Sequence, residues 1–288
     1  MRSNFLLTLV VGFLVAASPS ASQTRGMVEG RSSLYYESIG AGPETIVVLH
    51  GGPGLPHDYM RPEWDRLAAS GRLIYYDQNG CGQSGRVPPY GWRSHVEDLD
   101  RLINTLAPEK RVILAGSSWG SLLALAYTYQ HPERVKALIL SGFPGGPTRH
   151  PTESSPPWLK PSQSRLDSVN RGLPVGPGTP RPPLESRLQQ RIKEDCADVG
   201  AIIGNSLRDA PWLGQLEKIT APALVIHGAN PDQTPGDGGP WLAGKLPNAK
   251  LVTIQDAGHD PWLDQPQAFF NAANGFLAQL WTADVLGR

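Results

Sequence analysis

RVILAGSSWGSLLALAYTYQH, residues 111–131, decides the fold. Its first half is a short run of aliphatic and β-branched residues, which predicts a buried strand, and its second half predicts a helix. Only Gly116-Ser117-Ser118-Trp119-Gly120 separates the two. A strand that turns straight into a helix forces the central residue into a sparsely populated conformation. Glycines two positions to either side let the backbones approach. The Ser118 hydroxyl is thereby lifted out at a helix N-terminus, where partial positive charge favours a developing anion. Ser118 is accordingly the candidate nucleophile, and a glycine turn without chemistry is the weaker alternative.

Working outward, further apolar runs predict buried strands at Thr45–His50, Arg72–Asp77, Val135–Ser141, Ala223–His227 and Lys250–Ile254. Their unbroken apolar character implies cover on both faces, as in a parallel sheet between helices. Helices are predicted at Trp64–Ser70, Ser94–Leu106, Ser121–His131 and Gln267–Trp281, and the alternation argues for a doubly wound α/β architecture. Ser33–Ile39 alternates more and is expected to be an antiparallel edge strand. Between about Pro144 and Gly214 the rhythm breaks into Pro/Gly-rich sequence such as GLPVGPGTPRPP, residues 172–183, which cannot be sheet interior. Trp158, Ile192, Ile202, Ile203 and Trp212 give this stretch apolar anchors, so it is expected to be a small helical insertion. The division is then a core of residues 23–143 and 216–288 carrying a cap insertion of residues 144–215.

Residues 1–22 are expected to be a targeting segment outside the fold. Arg2 supplies a positive start, Phe5–Ala17 an apolar run, and Ser18–Ser22 small residues for cleavage. The run is short for a membrane span, so export is expected, with no membrane insertion after cleavage. Formal net charge is zero and 18% of residues are charged, which leaves no electrostatic footprint for nucleic acid. Export would permit disulfides, but nothing in the spacing of Cys81 and Cys196 brings them together, and two unpaired thiols are expected.

A serine needs a base, and the base an acid to orient it. In strand–turn–helix serines of this kind the acid follows in the chain and the histidine follows the acid. His259, in the loop DAGHDP after the last predicted strand, is the candidate base; His131, His150 and His227 are worse placed. Asp232, in the turn after the strand ALVIH, is the candidate acid, with Asp237 as the alternative. The loop His50-Gly51-Gly52-Pro53-Gly54 at the end of TIVVLH suits an oxyanion-binding loop. Pro53 has no N–H to offer, so Gly52 and the residue after the nucleophile, Trp119, are the candidate donors. His50 is expected to hold the loop by hydrogen bonding, and Asp77 to buttress the loop facing the site.

Together HGGPG (50–54), DQNGCGQS (77–84), GSSWG (116–120) and AGHDPW (257–262) resemble the proline iminopeptidase group of α/β-hydrolases. The resemblance covers about two hundred residues, all but the targeting segment and the insertion. It implies the α/β-hydrolase fold and a serine hydrolase that releases an N-terminal proline or small residue from peptides; no metal or cofactor is expected, since the sequence has no H-E-x-x-H, cysteine cluster or dinucleotide fingerprint. The acid lies one residue later than the group's usual register, and Asn79 stands where its arginine is usual. Among the insertion's acidic residues Glu185, Glu194, Asp195 and Asp198, Glu185 and Glu194 are the candidates for holding a substrate ammonium. The expected partner is a small molecule or short peptide. The rival readings are a carboxylesterase or lactonase on the same triad and a non-catalytic binding protein on the same fold.

Overall fold

The computed structural model describes residues 23–52, 55–145, 197–230 and 238–286. They form one eight-stranded sheet. Its strands are β1 (Thr24–Val28), β2 (Leu34–Ile39), β3 (Thr45–Leu49), β4 (Arg72–Tyr76), β5 (Val112–Ser117), β6 (Val135–Ser141), β7 (Ala223–Gly228) and β8 (Ala249–Ile254). They lie in the order β1-β2-β4-β3-β5-β6-β7-β8. The β1–β2 and β2–β4 pairings are antiparallel and the others are parallel. The described helices are α1 (Trp92–Leu106), α2 (Trp119–Gln130), α3 (Ala197–Ser206), α4 (Gly238–Lys245), α5 (Pro261–Asp264) and α6 (Pro266–Leu286).

The period-2 alternation of strand side chains splits the apolar runs between two cores. Val47, Leu49, Leu114, Leu140 and Val225 face α1, α2 and α4, contributing to one cluster with Leu99, Leu123 and Leu242. Ile46, Val48, Ile113, Ile139 and Ile226 face the other way and pack with Trp64, Trp262, Phe269 and Phe270 of the β3–β4 connection, α5 and α6. Chain order reverses direction at β3: its connection runs to β4 on one side, while β5 lies on the other and runs on to β6. That reversal opens a crevice at the carboxyl ends of β3 and β5, where ligands bind in sheets of this kind. HGGPG follows β3 and GSSWG follows β5, so the topology puts the two motifs side by side.

The doubly wound α/β expectation holds, with three local corrections. β2 is antiparallel but is not the edge, because β1 pairs outside it along its whole length. The β1 sequence TRGMV has no run of apolar residues and carries no strand signal of its own. β8 is not covered on both faces: it is the other edge, with Lys250, Leu251 and Thr253 exposed. Glu63–Ala69 winds as a 3-10 helix.

Of the expected insertion, residues 146–196 lie outside the described part. In residues 197–215, Val199, Ile203, Leu207 and Trp212 enter the same core as α1 and α2. Trp212 stacks edge-on against Trp92, with ring centroids 6.1 Å apart. Cys81 is disulfide-bonded, contrary to the expectation of unpaired thiols. The sequence contains one other cysteine, Cys196, which lies outside the described residues. No described helix is long and apolar enough to cross a membrane.

Candidate active site

Ser118 has φ 56° and ψ −119°, a combination that L-residues avoid. Its backbone N–H donates to the carbonyl of Ser141 at the end of β6 at 2.9 Å. Its side chain makes no helix-cap hydrogen bond, although serine at an N-cap ordinarily does. The flanking glycines are obligatory for packing reasons. A Cβ on Gly120 would lie 2.0 Å from the Leu49 carbonyl oxygen, and one on Gly116 would lie 2.4 Å from that of Gly120. The turn therefore wedges α2 against β3 and β5 and leaves the serine at the helix N-terminus.

Gly51, in the loop expected to bind the oxyanion, is held between Ser118 and Tyr59. A Cβ on Gly51 would come within 3.0 Å of Ser118 Cβ, so this loop passes directly beside the serine. The Gly51 N–H donates to the Tyr59 hydroxyl at 2.9 Å, which commits that donor elsewhere. Gly52 (φ 118°) and Trp119, the first residue of α2, carry the N–H groups assigned to the oxyanion. Pro53 and Gly54 lie outside the described residues.

His50 is fully buried. Its Nδ1 donates to the Gly51 carbonyl at 3.0 Å and its Nε2 accepts from the Gln78 N–H at 3.0 Å. The two partners select one neutral tautomer. Burial is the dominant cause that lowers its pKa, to about 4, against the opposing pull of the Gly51 carbonyl and Asp77. A neutral, doubly anchored imidazole is a loop-holder, as the sequence suggests.

Asp77 clamps two loops. Its Oδ1 accepts from the backbone N–H of His57 at 2.9 Å and from His57 Nδ1 at 2.7 Å; its Oδ2 accepts from the Gln83 N–H at 2.8 Å. Burial pushes the Asp77 carboxyl up, but the hydrogen bond and charge of His57 and the Gln83 N–H outweigh it and leave it below its usual value. Burial likewise pushes His57 down, and Asp77, with Glu37 and Asp58, more than offsets it. Asn79, in the place where the related group has arginine, pins the same loop through both amide atoms to the Val87 backbone.

His259 reaches the serine's side of the crevice through β6. Gly142, which follows the strand whose end binds the Ser118 N–H, has φ 57°. A Cβ there would lie 2.6 Å from the His259 carbonyl oxygen and 3.3 Å from its ring Cε1. The next residue, Asp260, is buried and accepts a long 3.5 Å hydrogen bond from the Ser117 hydroxyl. The turn expected to carry the acid starts beside this loop: the Asn230 N–H donates to the Ala257 carbonyl at 2.9 Å. Asp232, Asp237, Glu185, Glu194 and Asp195 lie outside the described residues, and for Asp198 only the backbone in α3 is described. His131 stacks on Tyr127 beyond the end of α2, and His227 packs against Gly239.

Gln78, Tyr59 and Gly142 were not singled out from the sequence, although Gln78 stands in a motif quoted for the resemblance. The Gln78 amide links both halves of the site. Its Oε1 accepts from Trp119 Nε1 at 2.6 Å and its Nε2 donates to the His50 carbonyl at 3.0 Å. Among the described residues no cluster of metal-ligating side chains occurs.

Residues 46–273 match the model of the alpha/beta hydrolase family. The chain is 31% identical over 284 residues to a 2-hydroxy-6-oxononadienedioate/2-hydroxy-6-oxononatrienedioate hydrolase of Paraburkholderia phymatum, spanning 90% of this chain and 96% of that one. It is 25% identical to a proline iminopeptidase of Heyndrickxia coagulans, spanning 88% of this chain and 98% of that one. Among solved structures, a thermophilic esterase from Thermogutta terrifontis superposes with a TM-score of 0.68 at 23% identity, covering 89% of this chain and 99% of that one. The strand order, the serine turn and these matches agree, and the protein is a hydrolase belonging to the alpha/beta hydrolase family.

Proposed function

We propose that the protein is an exported serine hydrolase, akin to the proline iminopeptidases, that cleaves its substrate through an acyl-enzyme. The observation that carries the reading is the conformation of Ser118, held at φ 56° with its hydroxyl uncommitted to the helix cap. Strain of this kind persists only where the surrounding structure imposes it, and it clusters at reacting groups. In the mechanism, His259, oriented by Asp232, takes the proton from Ser118 as the oxygen attacks a carbonyl. The N–H groups of Gly52 and Trp119 receive the developing oxyanion. The leaving group departs with the proton from His259, and water releases the acyl group by the same steps. The disulfide at Cys81 supports passage to an oxidising compartment, periplasmic or extracellular.

A second reading, hydrolysis of an oxo-dicarboxylate, is favoured by the 31% identity over 90% of the chain to the Paraburkholderia phymatum enzyme. A fluorophosphonate probe should label the mature protein and not Ser118→Ala; equal labelling of both would refute the nucleophile. Proline and alanine anilides, short aryl esters and 2-hydroxy-6-oxononadienedioate, tested side by side, then decide the class. Turnover of esters with no anilide cleavage overturns the peptidase reading. Intact mass of protein recovered outside the cytoplasm tests removal of residues 1–22.

A further inference from the structure

We propose that Gln78 is a positioning residue whose side-chain amide holds the two oxyanion donors in register. The proposal rests on the serine-hydrolase reading of Ser118. Gln78 is 1% exposed, and each end of its amide has a partner from a different half of the site. Oε1 accepts from the indole N–H of Trp119, the residue whose backbone N–H is one donor. Nε2 donates to the carbonyl of His50, two residues before the other donor, Gly52. The backbone N–H of Gln78 also binds His50 Nε2, and His50 Nδ1 binds the Gly51 carbonyl. Trp119, Gln78, His50 and Gly51 thus form one continuous, buried relay of donors and acceptors linking the residue after Ser118 to the loop after β3.

The chemistry of the two partners dictates the side chain. An indole N–H can only donate and a carbonyl can only accept, so the amide has one workable orientation. A carboxylate would serve Trp119 but would repel the His50 carbonyl, and a thioether of similar size would serve neither well. Oxyanion donors act within tolerances of a few tenths of an ångström, and they belong here to a helix after β5 and a loop after β3. Helix α2 fixes Trp119. Residues 50–52, after β3, belong to no helix or strand, and Gln78 ties them to that helix.

The test compares Gln78→Met, Gln78→Glu and wild type on whichever anilide or ester the enzyme turns over, well below each variant's Tm. Gln78→Met should lower kcat about tenfold to a hundredfold, with KM changed less than about threefold. Affinity for an aryl boronic acid, which adds to the serine as a tetrahedral anion, should fall in parallel. Gln78→Glu should regain activity relative to wild type as pH falls, because only the protonated carboxyl can accept from Trp119 while donating to His50. Should Gln78→Met not fold, Trp119→Phe breaks the relay from the other side and should show the same paired loss. Variants with lowered Tm but wild-type kcat and boronate affinity would overturn the proposal. A wild-type protein that neither turns over substrate nor takes the fluorophosphonate would instead refute the Ser118 reading and take this proposal with it.

Discussion

His57 and Asp77 form a buried ion pair, with Nδ1 2.7 Å from Oδ1. The same Oδ1 also accepts the His57 backbone N–H, so one carboxylate holds both the chain and the ring of this residue. Glu37 lies 4.0 Å from His57 Nε2, and Arg61 pairs with Glu37 in turn. His57 is therefore held protonated above its usual value of 6.5, and Asp77 ionised below its usual 3.8.

The pH consequence follows by linkage. The His57 contribution is complete below pH 6.5 and disappears as pH rises through its raised pKa; that of Asp77 is complete above 3.8 and disappears as pH falls through its lowered one. Asp77→Asn leaves a buried imidazolium without its partner and should cost about 3–5 kcal/mol between these limits. The difference from wild type should shrink in alkaline solution, where His57 loses its proton. Urea unfolding at a series of pH values measures it, and a pH-independent difference would show that the pair is not charged.

Ser118→Gly should stabilise the protein while abolishing its activity. Glycine occupies positive φ without the Cβ clash, so release from φ 56° should raise stability by about 1 kcal/mol, after the cost of glycine's greater freedom when unfolded. Chemical denaturation gives the sign directly. A loss of stability would mean that the serine side chain makes contacts worth more than the strain.

Two glycine substitutions should behave in opposite ways. Gly142→Ala places a methyl group 2.6 Å from the His259 carbonyl oxygen, at positive φ, and should displace the imidazole and lower kcat by about 100-fold. Gly275→Ala, within α6 and with nothing inside 4 Å of the new Cβ, should raise stability by about 1 kcal/mol and leave kcat unchanged. Steady-state kinetics and thermal unfolding of both variants separate the site effect from a general one.

The disulfide at Cys81 lies in the turn between Asp77 and Gln83, against which α3 packs: a Cβ on Gly80 would touch Val199 at 2.7 Å. Reduction, or Cys81→Ser, should cost about 2–5 kcal/mol. Calorimetry with and without reductant reads it, and an unchanged Tm in reductant would show the bond to be energetically idle.

Ser118, its strand and its helix were legible in the sequence because they are contiguous: residues 111–131 carry the strand, the turn glycines and the helix within a span that local sterics govern. The parallel core strands were legible for the same reason, since burial on both faces writes itself as an unbroken apolar run. The topology of the sheet then brought Gly51 beside Ser118, because β3 and β5 are neighbours that chain order separates with β4. Only tertiary structure could assign Gln78 its partners, which lie 41 and 28 residues away at Trp119 and His50. The same holds for Gly142 against His259, and for β1, whose weakly apolar sequence becomes a strand only because β2 offers it an edge. Local patterns record what a residue prefers; hydrogen bonds and close approaches across the fold depend on which distant segments packing has made adjacent.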